Sequence, residues 1–415
     1  MSRFPGIGAL VLALCASVGA GADEAYRVGG EKLVGTASGD GANIQIGEGR
    51  LALGELLVLS FGASQPPARL ASGVFLRDGS LLVGELESLV GDKCAVAATS
   101  LGRTLELPGA QVAGAFFPLP ASMPENFQAL GNYARLIAAL REPGAPGDGG
   151  DPALSPGRRN RVTYRNMERL DGVLQRLKTN AFIALAGGAS ATPDREVLRV
   201  VEFKLPAEPS PPPKGGLEVV VRMKAGDVLR GRLVKLDAKE LTLATSFAGN
   251  LALPRQTLAV LYLVGGPEAG LVWLSALKPA SDEHTPTFDA KFPTQLNLSC
   301  DGRMLRMSGL VCDRGLGVHA RSRVTFAVDG RPGLRFTALV GIDDETQGRG
   351  EAEARVLVDG RVAWQSGPLT PGKGAVPVLV DLAQAKALTL EADFGPDGDD
   401  SGDHVDWGWA ALVGK

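Results

Sequence analysis

VFLRDGSLLVGELESLVGDKCAVAATSLGRTLELPGAQVAGAFF, residues 74–117, aligns with VVVRMKAGDVLRGRLVKLDAKELTLATSFAGNLALPRQTLAVLYL, residues 219–263. Gly84 meets Gly231, Thr99-Ser100 meets Thr245-Ser246, and Leu107-Pro108 meets Leu253-Pro254. A third copy, RVTYRNMERLDGVLQRLKTNAFIAL followed by REVLRVVEF, puts Gly172 in the same place. A fainter copy opening at VGGEKLVG puts Gly35 there. Internal repetition of this kind decides architecture before any single element does. Each copy holds about five short alternating apolar runs, separated by turn residues such as Asp78-Gly79 and Asp237-Ala238. The shared glycine falls in mid-strand, where a missing side chain permits a sharp bend or a close backbone approach.

Five short, bent strands suit a small closed barrel. The pattern DG-x-x-x-x-G-x-L in Asp78 to Leu86 resembles the opening of an Sm-type barrel. The resemblance implies tandem small Sm/SH3-like β-barrel units. RNA binding would need basic and aromatic residues at the loops. These units mix signs instead, as in Arg222, Lys224, Asp227 and Arg230, and the net charge is −3. No nucleic-acid partner is expected; the repeats are expected to be structural or to contact a protein partner.

Outward from the repeats, Arg3 and the apolar run GIGALVLALCASVGA read as a secretory signal, with Ala20-Gly21-Ala22 as the cleavage pattern. Residues 1–22 are therefore expected to be a signal peptide, and the product secreted, periplasmic or at the cell envelope. No later stretch is long and apolar enough for a membrane helix. Small β-barrel repeats are expected over 23–118, 160–204 and 217–265. Ser122-Met123-Pro124-Glu125 offers a capped start for a helix carrying Phe127, Leu130, Tyr133, Ala134, Ile137 and Leu140 on one face. Helix and linker together span 119–159, and PAEPSPPPKGG makes 205–216 a stiff connector.

From residue 271 to 415 the chain reads as β throughout. TFAV-DG-RP and ARVLV-DG-RVAW each place Asp-Gly between strand-like runs, the pattern of a hairpin. GLGVHARSRVTFAVDG, FTALVGIDDE, VLVDGRVAWQSG, VLVDLAQAKALTLEADF and DHVDWGWAAL follow in order. Together they closely resemble the NPCBM domain, a galactose-binding-like jelly roll of carbohydrate-binding module family 51. The fold class expected is thus mainly β: small barrel units followed by a C-terminal β-sandwich. The resemblance implies glycan binding without catalysis, through loops at one end of the sandwich, with a polysaccharide or glycoprotein glycan as partner. The alternative is an envelope-associated protein-interaction scaffold without sugar binding.

Candidate site residues cluster in this second half, which holds all three histidines and all four tryptophans. His319 is expected to enter by a loop after two glycines, first as a buried hydrogen-bonding post and second as a sugar contact. Arg321, Trp364, His404, Asp406 and Trp407 complete the candidate carbohydrate-binding set. Trp407 and Trp409, two apart on a strand, are expected to share a face. Two of the tryptophans 364, 407 and 409 are expected in the core. DFGPDGDDSGDHVDW packs carboxylates into a glycine-broken loop, and GIDDE ends a strand with three more, Asp343-Asp344-Glu345. Calcium favours several oxygen ligands on flexible loops, so Asp343, Asp344, Asp399 and Asp403 are the candidate metal residues, with Ca2+ as a structural ion. Cys300 and Cys312 are spaced either to staple neighbouring strands or to stay free. No catalytic residue is expected.

Overall fold

The computed structural model describes residues 22–62, 67, 69–118, 133–136, 160–204, 216–266, 269–285, 287 and 290–414. The signal segment, the Pro-rich connector and most of the expected helix lie outside these residues. The turn 133–136 is helical, with Tyr133, Ala134 and Leu136 buried.

The chain is mainly β, and the repeated sequences take one strand order four times over. In the second unit Gly73–Leu76 pairs with Leu81–Val90, which pairs with Lys93–Ala98, and that with Arg103–Pro108. A 3-10 turn then returns Val112–Phe116 onto Gly73–Leu76. The fourth unit repeats this from Glu218–Met223 to Leu258–Leu263. Residues 23–60 and 161–202 follow the same order. The shared glycine permits the second strand to cross its neighbour closely. A Cβ at Gly84 would stand 1.9 Å from the Ala97 carbonyl oxygen, and one at Gly231 2.4 Å from that of Ala244.

The units join in two pairs, each through last strand to last strand and second strand to second strand. Units one and four meet at Leu261↔Leu59 and Lys235↔Asp40. Units two and three meet at Ala115↔Val201 and Leu177↔Leu89. Reciprocal hydrogen bonds pin unit two to unit four. Asp227 accepts from the Val83 N–H at 2.8 Å, and Ser80 Oγ accepts from the Arg230 N–H at 3.0 Å. Ser100 Oγ donates to Asp227, and Ser246 Oγ donates to Asp78 at 2.7 Å.

The sandwich follows. One sheet runs Gln295–Leu296, Gly315–His319, His404–Val413, Arg335–Ile342, Val376–Asp381, with Leu271–Trp273 also on His404–Val413. The other runs Ser281–His284, Ser322–Ala327, Ala387–Phe394, Ala352–Val358, Arg361–Leu369. Asp359-Gly360 closes the expected hairpin, with Val358 opposite Arg361. Asp329-Gly330 does not: Ser322–Ala327 and Arg335–Ile342 lie in different sheets, so the chain crosses between layers there. Cys300 and Cys312 are both free.

Two further expectations fail for identifiable reasons. His319 is the last residue of a strand rather than part of a loop. The glycines before it serve packing: a Cβ at Gly315 would stand 2.2 Å from the Trp407 carbonyl oxygen, and one at Gly317 2.4 Å from that of Leu298. Trp407 and Trp409 face opposite ways. The His404–Val413 strand bulges between Gly408 and Ala411, the partners of Leu339 and Thr337, and Trp409 sits at φ +53°. An inserted residue resets the period-two alternation. Trp407 therefore fills the sandwich core beside Phe336, while Trp409 points into a second core shared with the repeats.

That shared core joins the two halves. Trp409 packs on Tyr262 of unit four at 5.0 Å between ring centroids, and Trp273 completes the cluster at 5.8 Å from Trp409. Arg222 Nε donates to Asp313 at 2.8 Å with both side chains essentially excluded from solvent.

Candidate functional site

Strand pairing sets the site. Gly315–His319 and His404–Val413 are antiparallel neighbours with His319 opposite His404, so the two imidazoles leave the sheet side by side. Their ring centroids are 5.4 Å apart. Ser281–His284 pairs with Ser322–Ala327, which places His284 opposite Ser322 and its ring 5.7 Å from that of His319. All three histidines of the chain thus converge at one end of the sandwich. Phe292 stacks on His319 at 4.4 Å with the planes 13° apart.

Local partners define the tautomers. The Phe292 N–H donates to His284 Nδ1 at 3.3 Å, leaving His284 Nε2 to donate to the Ala320 carbonyl at 3.2 Å. His319 Nδ1 donates to the same carbonyl at 3.2 Å. His404 Nδ1 donates to Glu345 Oε1 at 2.9 Å. Among the described residues Nε2 of His319 and of His404 has no hydrogen-bond partner. Burial and the two neighbouring imidazoles lower the His319 pKa, so its ring is neutral at pH 7. For His404 burial works the same way but is outweighed by Glu345, with Asp301 and Asp343 behind it, and its pKa is raised. Glu345 is itself held by Ser299 Oγ at 2.6 Å and by the Asp301 N–H at 3.1 Å. Its carboxyl lies below the usual range because these donors and His404 outweigh its burial.

Around the histidines stand Arg321, exposed, at φ +42° and 5.4 Å from the Phe394 ring, and the loop running on from Phe394 to His404. A groove of about 450 Å³ beside His284 is lined by Asp282, Glu283, Thr285, Lys291 and Pro293. The Ala320 N–H donates to the Asp403 carbonyl at 3.0 Å, tying the acidic loop to the histidine strand.

Of the candidate sugar contacts, the fold brings His319, Arg321 and His404 together. Asp406 and Trp407 are fully buried, which corrects their assignment as contacts: no sugar reaches a side chain without exposed surface. Trp364 is half-buried on the edge strand Arg361–Leu369, with three strands between it and Ser281–His284. His284, Phe292 and Glu345 belong to the cluster and were not singled out by sequence. GIDDE carried Glu345 as a third acid, and no signal marked Phe292.

The candidate metal residues divide. Asp343 is buried; its two oxygens accept from the N–H groups of Glu345 at 2.7 Å and Arg306 at 2.9 Å. The Arg306 N–H is shared with Asp406 at 3.0 Å. Burial raises both carboxyls, Asp406 the more; Asp343 adds to the rise at Asp406, whereas at Asp343 the hydrogen bond with Asp406 opposes it and Glu345 adds to it. Asp344 accepts from the Ser308 and Gly309 N–H groups at 2.7 and 2.9 Å. Asp399 caps the Ser401 N–H at 3.0 Å. Asp403 is buried and accepts from the Glu351 N–H at 2.9 Å through Oδ1, while Oδ2 has no partner. Burial, with Asp397, Asp400 and Asp399 nearby, pushes the Asp403 carboxyl up to about 7. The four carboxylates do not gather into one ligand group. Among the described residues the group whose ligand atoms lie within 4.8 Å of one another is Asp301, Glu345 and His404.

Comparison with known proteins bears on the same half of the chain. Residues 270–413 match the NPCBM/NEW2 domain. A putative endo-alpha-N-acetylgalactosaminidase of Renibacterium salmoninarum is 36% identical over 91 residues, 22% of this chain and 6% of that protein. An alpha-1,3-galactosidase B of Akkermansia muciniphila is 33% identical over 117 residues, 28% of this chain and 14% of that protein. The chain thus spans a small part of the length of either curated relative. Among solved structures, CBM51 of Clostridium perfringens in complex with methyl-galactose is 27% identical, covering 34% of this chain and 99% of its own at a TM-score of 0.31.

Proposed function

We propose that the protein is an exported, non-catalytic glycan-binding protein whose NPCBM domain takes sugar at the three-histidine end. The observation that carries the reading is the pair His319 and His404. Each has Nδ1 engaged by a local acceptor and Nε2 left over, which suits a hydrogen bond with a sugar hydroxyl. Arg321 adds an exposed cation and Phe292 an aromatic ring in the same cluster. Both curated relatives carry names of enzymes acting on galactose-configured sugars, so galactose and N-acetylgalactosamine termini are the first ligands to try. The repeats serve as scaffold in this reading; their common five-strand order supports four small Sm/SH3-like barrels. Calcium in the acidic loop belongs to the same proposal, supported by the partnerless Asp403 Oδ2.

The test is a glycan array probed with the full chain, since the sandwich shares a core with the repeats. Binding to a defined glycan class is expected, lost in Arg321→Ala at an unchanged melting temperature. Absence of binding to every glycan would overturn the reading and favour an envelope-associated interaction scaffold.

A further inference from the structure

The geometry points to a site for a divalent transition ion of the zinc or manganese kind, formed by Asp301, Glu345 and His404. One oxygen from each carboxylate and one imidazole nitrogen lie within 4.8 Å of one another. Ligands bound at roughly 2.1 Å around a four- to six-coordinate ion stand about 3–4 Å apart. The trio is therefore gathered at nearly the spacing an ion imposes.

Two of the three ligands are already held in place. The Glu345 side chain is 2% exposed and gripped by Ser299 Oγ and the Asp301 N–H. His404 opens a strand and is aligned by Glu345 on one side and the His319 ring on the other. Asp301 sits at the exposed lip, on a tight turn closed by the Gly302 N–H donating to the Ser299 carbonyl at 2.9 Å. The 2.9 Å contact between His404 Nδ1 and Glu345 Oε1 would widen by a few tenths of an ångström to admit the ion. Asp301 would close over it from the solvent side.

Donor chemistry selects the ion. Calcium and magnesium take oxygen ligands, calcium six to eight of them. Imidazole suits zinc and carboxylate suits manganese, so one imidazole with two carboxylates favours these ions over calcium. The two carboxylate charges match a divalent cation beside a neutral imidazole. Three protein ligands leave at least one position for water. The site is separate from the acidic loop and stands whether or not the domain binds sugar.

Untagged full-length protein, stripped with chelator, is titrated calorimetrically with zinc, manganese and calcium chlorides and melted with each. One equivalent of zinc or manganese is expected to bind and to raise the melting temperature. Asp301→Asn should weaken that uptake at least about tenfold, with the metal-free melt unchanged. Calcium taken up by the acidic loop should be indifferent to Asp301→Asn. X-ray absorption of the zinc form should show nitrogen and oxygen ligands including one imidazole. Lack of saturable transition-metal uptake overturns the assignment. So does uptake that survives both Asp301→Asn and His404→Gln, or that is lost in Asp399→Asn instead.

Discussion

The repeats and the sandwich both bury aspartates, and they treat them differently. In the repeats Asp227 and Asp23 are each met by a donor from another unit. Asp227 of unit four accepts from Val83 and Ser100 of unit two. Asp23 of unit one accepts from the Ala37 N–H at 2.6 Å and from the Arg255 guanidinium of unit four. In the sandwich donors run short. Asp343 and Asp406 share the Arg306 N–H, and Asp403 Oδ2 and Asp406 Oδ1 are buried with no partner. Buried polar atoms are nearly always satisfied, so a cluster of exceptions marks a place where something beyond packing is at stake. Matched carboxylates fasten units together; under-supplied ones gather behind the histidine end.

Severing the joint between the two regions should have the largest effect. Arg222→Ala removes the guanidinium bonded to the buried Asp313 carboxylate and should cost roughly 3–5 kcal/mol, read by denaturant unfolding of the full chain. Replacing both partners by apolar residues of similar volume should recover much of that loss, which would show that the pair sets the docking geometry more than the stability. Next in size is the repeat glycine. Gly84→Val drives side-chain atoms into the Ala97 carbonyl and should cost about 3 kcal/mol, read by the same unfolding. A melt indistinguishable from wild type would mean the second strand does not need its close crossing.

The smallest effect sharpens the contrast in carboxylates. Burial raises the Asp227 carboxyl to about 6 despite its donors. An unfolded aspartate titrates near roughly 3.9. The native state therefore holds the extra proton between these values. Its stabilising share is complete below about pH 4 and is lost as pH rises through 6, by about 2–3 kcal/mol in all. Asp227→Asn should remove that slope from the difference between wild-type and variant stability across pH 4 to 7. A slope unchanged by the substitution would place the pH dependence elsewhere.

How much of this was legible varies with the range of the contact. The repeat was visible because Gly84 and Gly231 answer a need that arises within each unit, and because Ser100 and Ser246 fill the same role in reciprocal bonds between units two and four. Which strand edges join the units was not, since pairing such as Leu261 with Leu59 depends on partners far away in sequence. The sandwich and its order of motifs were legible, yet the faces of its tryptophans were not. Alternation counts correctly only until a bulge, and the one at Trp409 shows in no local propensity. Likewise GLG before His319 read as a loop, because a glycine needed for close packing and one needed for a turn look alike in sequence. His284, His319 and His404 come from three distant segments, so only strand register brings them together.

Trp409, turned outward by its bulge and capped by Tyr262, fixes more than stability. A binding module on a flexible tether sweeps a volume and meets ligands wherever they fall within reach. Seated on a common core, the sandwich has a single bearing relative to the repeats. Any second contact made by the repeats would lie at a set distance and angle from the histidine end. Such a pair of contacts gains from effective concentration only on a surface whose spacing matches, and gains nothing on one that does not. The bulge at one tryptophan thereby fixes a span across the molecule.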